Sequence, residues 1–263
     1  MRIYIYLLAW VMWQGAVFAQ NKEVGKVIYE ISCQFKNARP LNFTGELLFE
    51  NGKTLFTYDK GTHIKGVHKD TLDDNGNRVL LLQKPVTSGS IGKSVYSNFE
   101  DNQQISRELI ASKAFIVSDS IKKPHWVIGK QTKQAGNFKC QDAYTHFYGR
   151  DYTVWFTNEI PVSYGPWKLN GLPGLILEAI SGDGEVKFLA TAVSLINSLS
   201  SKIEPPSSGQ TIKGYASFRT LQDKHSANTQ KRIKALIEEK TKDGKTEMSI
   251  GKISPVRFEK ELD

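Results

Sequence analysis

Gly171-Leu172-Pro173-Gly174-Leu175-Ile176 is the stretch that decides how this chain folds. Leu172-Pro173-Gly174-Leu175 fits a type II turn. Pro173 sets φ at about −65° in the second position, and Gly174 accepts the positive φ needed in the third. Leu172 precedes proline and is pushed to an extended conformation. A strand is expected next, with Leu175, Leu177 and Ala179 on one face and Ile176, Glu178 and Ile180 on the other. Hydrophobes on both faces describe a strand covered on two sides. Gly165-Pro166 bends the chain just upstream. The stretch predicts a chain reversal between two strands, and it carries no catalytic signature.

The surrounding sequence reads as a β meander from about residue 25 to 195. Val27, Tyr29, Ile31 and Cys33 alternate with Ile28, Glu30 and Ser32 in a first strand. Leu47–Glu50 and Thr54–Tyr58 flank Asn51-Gly52, the strongest short hairpin signal. Asp74-Asn75-Gly76-Asn77 repeats that chemistry before Val79–Leu82. Further strands are expected at Ser94–Phe99 and around Ile110–Ser118. Trp126-Val127-Ile128 opens the second half, and Ala135-Gly136-Asn137 turns it. Phe138–Tyr148 returns, Gly149-Arg150-Asp151 turns again, and Tyr152–Thr157 follows. Gly182-Asp183-Gly184 joins the strand after Ile176 to Val186–Val193. Residues 198–210 are Ser- and Pro-rich and read as a surface loop. From about 214 to 240 the period becomes helical, with Ile233, Leu236 and Ile237 forming an apolar stripe expected to pack on the sheet; Asp243-Gly244 ends it.

The ends and the composition set the compartment. Ile3–Phe18 is almost wholly apolar and follows a single positive charge, Arg2. Val17-Phe18-Ala19 obeys the small-x-small cleavage rule, so residues 1–19 read as a signal peptide cut between Ala19 and Gln20. At 16 residues the run is shorter than the ~20 needed to span a bilayer. Removing 19 residues from 263 leaves 244, read as one β-rich domain over 20–263. The formal charge of +8 falls to +7 with Arg2, and the excess is scattered lysine. That pattern and the lack of a nucleic-acid module argue against nucleic-acid binding. Cys33 and Cys140 permit one disulfide in an oxidising compartment, closing a loop that could stabilise by up to ~4.7 kcal/mol, or they stay as buried thiols.

Several residues outside the turn strengthen a family resemblance. They are Trp126-Val127-Ile128, Cys140-Gln141-Asp142-Ala143, Gly149-Arg150, and Val154-Trp155-Phe156-Thr157-Asn158-Glu159-Ile160-Pro161. Gly165-Pro166 and Gly171–Ile176 follow. Over about residues 124–181 the chain resembles the GLPGLI family of Bacteroidetes exported proteins. The resemblance implies a periplasmic or secreted protein with no established activity and no catalytic residues to carry over. It implies an outer-membrane transport protein as a partner.

The chain carries no complete catalytic motif. The chain has no Gly-x-Ser-x-Gly elbow, no His-Glu-x-x-His helix and no Cys-x-x-Cys pair. Gly92-Lys93-Ser94 ends like a phosphate loop, but Thr87 stands where the first glycine belongs. His125 and His146 sit on neighbouring meander strands, and Cys140 could complete a copper or zinc site; isolated histidines are the plainer reading. Glu159 and His146 could serve a hydrolase of unrecognised type. Trp126, Tyr148, Trp155 and Trp167 could line a groove for an apolar ligand, although in a β domain such rings usually form core. No cofactor is indicated.

The expected fold is mainly β: a curved antiparallel sheet forming a half-open barrel, with a C-terminal helix packed on it. A two-sheet sandwich is the alternative. The expected function is a non-enzymatic binding or accessory protein of the cell envelope. A metal-handling protein and a hydrolase are the alternatives.

Overall fold

The structure is a computed structural model. It describes residues 24–35, 40–60, 91–240 and 257–260, and between 63 and 87 the backbone of four short strands. The expected leader at 1–19, the expected turn at 74–77, the expected helix stop at Asp243-Gly244 and the side chains of His63 and His68 lie outside the described residues.

The chain begins with β1 (Val24–Cys33), β2 (Leu41–Glu50) and β3 (Lys53–Tyr58). β4 (His63–Ile64) pairs with β7 (Val86–Thr87), and β5 (Val67–Leu72) pairs with β6 (Arg78–Gln83). β8 (Lys93–Asn98), β9 (Gln103–Ile110) and β10 (Lys113–Ser120) follow. The meander comprises β11 (Val127–Ala135), β12 (Phe138–Phe147), β13 (Arg150–Thr157), β14 (Leu175–Ser181) and β15 (Val186–Ile196). β16 (Gln210–Lys213) leads into α1 (Tyr215–Lys240). Twelve described strands form one open sheet in the order β11-β12-β13-β14-β15-β1-β2-β3-β8-β9-β10-β16. All its pairings are antiparallel except β10 with β16.

Cross-strand register separates two faces. Ala143, Val154, Ala179, Phe188, Ile31 and Phe43 stand in one row across β12-β13-β14-β15-β1-β2. The first five are completely buried. The adjacent row, Asp142, Trp155, Glu178, Leu189, Glu30 and Thr44, points the other way. The sheet curls around its apolar face. Phe147 on β12 reaches Tyr58 on β3 through Trp167 and Phe258, in ring-to-ring steps of 6.1, 5.8 and 5.2 Å. Six strand spacings on a flat sheet would cover roughly 29 Å. The half-open, helix-covered β architecture expected from the sequence is the one observed.

The proline–glycine corner works differently from a type II turn. The backbone of Gly174 is not at positive φ; Gly171 (φ 92°) and Trp167 (φ 58°) are. What requires glycine at 174 is contact, because a Cβ there would lie 2.1 Å from the Thr157 carbonyl oxygen. Leu175 N–H donates to Ile160 O and Ile176 N–H to Tyr164 O, both at 3.0 Å, so the loop 158–174 is stitched to the start of β14. Leu172, Leu175, Ile176, Leu177 and Ala179 are all buried, as the doubly apolar strand predicted.

Two hairpins follow type I′ chemistry. Asn51-Gly52 has φ of 48° and 72°, and Tyr148-Gly149 has 50° and 71°. The second turn therefore sits one residue before Gly149-Arg150-Asp151, and Arg150 belongs to β13. The helix spans the expected residues but docks by its first turns. Tyr215, Phe218 and Gln222 are buried, with Tyr215 and Phe218 packed on Phe115, Val117 and Ile110, whereas Leu236 is 55% exposed. Asp119 of β10 caps the helix by accepting from Tyr215 N–H at 3.0 Å.

The Cys33–Cys140 disulfide is not formed; both thiols are free and buried. Three strands lie between β12 and β1 in the sheet. Cys33 shares the inward face with Ile31, while Cys140 stands three residues from inward-facing Ala143 and so on the opposite face. Such Cβ vectors cannot be bridged.

Candidate functional site

Lys168 is the most unusual residue of the interior. Its side chain is 2% exposed. The loop delivers it through a tight turn in which Leu169 N–H donates to Pro166 O at 3.1 Å. Trp167 occupies the left-handed region there, a sparsely populated conformation for so bulky a residue. Asn170 Nδ2 locks the turn by donating to Lys168 O at 2.8 Å. Lys168 Nζ lies 3.7 Å from the Tyr215 ring centroid, 4.6 Å from that of Tyr148 and 5.3 Å from that of Trp167. Three ring faces thus surround one ammonium group. A void of about 10 Å³ beside Lys168, Tyr164 and Asn170 has room for roughly one water.

The ammonium pairs with Glu259 at 3.1 Å, and Glu259 is equally buried. Tyr215 hydroxyl donates to the same carboxylate. Burial opposes charge on both partners. Each nonetheless holds the other ionised: Lys168 titrates above the ordinary lysine range and Glu259 below the ordinary carboxylate range. A second carboxyl, Glu108 on β9, is buried in the same region. Burial, assisted by Glu259, pushes it up to about 7 against the opposing pull of Lys93 and Lys168.

Glu259 arrives on a short C-terminal strap, residues 257–260, that enters the concave face. Phe258 packs 5.2 Å from Tyr58, 5.2 Å from Phe188 and 5.8 Å from Trp167. Buried Arg150 donates from Nε to Phe258 O at 2.7 Å and pairs with both Asp183 and Glu185 through Nη1. Lys260 N–H donates to Tyr148 O at 2.9 Å. At the rim, Lys260 pairs with Asp183, Arg257 pairs with Asp223, and Arg219 donates to Lys260 O.

The four aromatic candidates separate into three places. Tyr148 and Trp167 meet in the core, with centroids 5.3 Å apart. Trp126 is half-buried and donates from Nε1 to Asn170 O at 2.8 Å. Trp155 faces outward, under Lys133 at 4.4 Å. They line no common groove. The candidate metal ligands do not converge either. Cys140 and His146 are six residues apart on one strand, about 20 Å. His125 is exposed, and His146 pairs with Asp151 at 2.7 Å. Among the described residues no three His, Cys, Asp or Glu side chains form a metal-binding group. Glu159 accepts from Lys139 N–H at 2.7 Å. Lys139 is seven residues from His146 on β12, about 24 Å, so Glu159 and His146 cannot share a proton.

Sequence reading missed Lys168, Glu259, Glu108 and Tyr215. Lys168 left a trace, the single charged residue between the Gly165-Pro166 and Pro173-Gly174 bends. Glu259 left none.

The stretch that delivers Arg150, Trp167 and Lys168 also carries a family match. Residues 148–178 match the family model of a protein of unknown function, Porph_ging. No curated protein matches the chain in sequence. Among solved structures, PNGF-II is similar with a TM-score of 0.50 at 15% identity over 78% of this chain and 34% of that one. In a second crystal form the values are 0.48, 16%, 78% and 33%. The chain thus spans about a third of the length of PNGF-II, and the likeness is one of fold. A LolA superfamily protein, NE2245 from Nitrosomonas europaea, aligns over 70% of this chain and 91% of that one at 7% identity with a TM-score of 0.31. Among the described residues no helix is long and apolar enough to cross a membrane.

Proposed function

We propose that this chain is an exported, non-enzymatic binding protein of the cell envelope, a member of the GLPGLI family. On this reading residues 1–19 are a cleaved leader, and 20–263 form a single domain that holds a small apolar ligand in the hollow of its sheet. The observation that carries the reading is the buried lysine at the centre of that hollow. The interior is lined by rings and closed by a terminal strap, where stability alone would favour apolar side chains. Perturbed ionisable groups gathered in a concave interior support a binding role. An outer-membrane transport protein is the partner that the family resemblance implies. Native mass spectrometry of protein isolated from envelopes tests the reading. A bound organic species of defined mass, released by solvent extraction, is expected. Protein that is ligand-free from its native source and stays so after incubation with envelope lipids contradicts it.

A further inference from the structure

The strap describes what its own site recognises. Phe258 supplies an apolar group to a wall of Tyr58, Phe188 and Trp167, and Glu259 supplies a carboxylate to Lys168 and Tyr215. From this we infer that the hollow is a binding site for a small apolar carboxylate, and that residues 257–260 are its resident occupant, displaced when such a ligand enters. The inference rests on the ligand-holding reading above and adds the ligand class and the competition.

Two features favour exchange over a permanent plug. The strap's outer ties are ion pairs at the rim, and their partners are partly open to solvent: Asp223 is 57% exposed, Lys260 46% and Asp183 27%. Such pairs are weak and salt-screened. The recognition groups, by contrast, come from rigid elements. Tyr148 sits in a hairpin turn, Tyr215 opens a capped helix, and Lys168 follows a constrained tryptophan. A rigid receptor with a detachable peptide is the arrangement expected when a tail competes with a ligand.

The test uses the full chain, with decanoate and 3-phenylpropanoate as probes and the matching alcohols as controls. Trypsin cleavage after Arg257 and Lys260 reports strap release. Calorimetry reports affinity for wild type and for Phe258→Leu, which loosens the apolar anchor while keeping the carboxylate. Saturating carboxylate is expected to speed cleavage of the strap about tenfold. Phe258→Leu should bind at least about fivefold more tightly than wild type, and the alcohols at least about tenfold more weakly than the acids. The two probes distinguish an acyl from an aromatic body. If the acids bind but the strap stays equally protected and Phe258→Leu leaves affinity unchanged, the site lies elsewhere; the inference falls and the ligand-holding reading survives. If neither probe binds wild type or Phe258→Leu, the inference falls. An envelope-purified protein that is also ligand-free takes the wider reading with it.

Discussion

Lys168 Nζ and Glu259 Oε1 lie 3.1 Å apart across 91 residues of chain, and neither side chain is more than 4% exposed. This contact joins the loop before β14 to the C-terminal strap, inside a hollow lined mainly by aromatic rings.

Breaking the pair should cost more than removing it. Lys168→Met leaves Glu259 and Glu108 without their shared cation and should destabilise by about 3–5 kcal/mol. Lys168→Met with Glu259→Gln should recover part of that loss, giving a coupling energy above ~1 kcal/mol in a double-mutant cycle. Urea unfolding of the four proteins measures it. Additive losses would mean that the two groups do not interact.

Stability should depend on pH with two opposing signs. The Glu108 carboxyl is held up at about 7 in the fold against an ordinary value of 4.5. Its contribution is complete below about pH 4.5 and is lost as pH rises through 7, by up to roughly 3 kcal/mol. Glu259 is shifted down, so its contribution is present above the ordinary carboxylate range and fades on acidification. Glu108→Gln should flatten the decline between pH 5 and 7 and leave the acid limb in place. Denaturation midpoints across that range check this, and an unchanged slope in the variant would refute the assignment.

Gly174 and Gly136 separate steric demand from backbone demand. A Cβ at 174 would meet the Thr157 carbonyl oxygen at 2.1 Å, with φ outside the left-handed region. At 136, φ is 58° and a Cβ would meet nothing within 4 Å. Gly174→Ala should cost about 3 kcal/mol or more through displacement of packed backbone. Gly136→Ala should cost about 1–2 kcal/mol from conformation alone. Thermal melts rank the two, and the reverse order would contradict this account of the corner.

The thiols should behave as buried and independent. Burial pushes Cys33 up to about 12, despite the nearby positive charges of Lys93 and Arg150. Cys140 is shifted in the same direction by burial, and its thiol donates to Phe138 O. Iodoacetamide should modify neither in the native protein and both after unfolding. Melting temperature should be the same with and without reductant, whereas loss of a real bridge typically costs about 2–5 kcal/mol.

Local chemistry announced most of the sheet. Val27, Tyr29, Ile31 and Cys33 alternate because one face of β1 is core, and Asn51-Gly52 turns because both residues tolerate positive φ. The β9–β10 hairpin stayed hidden because its turn is Ala111-Ser112, with alanine at φ 53° and no glycine, proline or asparagine to mark it. Gly174 was visible as a necessary glycine but for the wrong reason, since close approach to Thr157 is a tertiary fact. The helix was visible in its period, yet that period cannot say which turns are covered, and Tyr215, Phe218 and Gln222 do the docking. The Lys168–Glu259 contact has no local signature at all. It exists because the sheet curls far enough for one strap to reach its hollow.

Hydrogen exchange at the Lys260 amide, read with and without decanoate on the wild-type chain, is the most direct measurement. That amide donates to Tyr148 O at 2.9 Å while the strap is seated. Protection should fall on adding decanoate while β1 and β14 stay protected. Decanoate binding that leaves Lys260 as protected as before would contradict a site shared between ligand and strap.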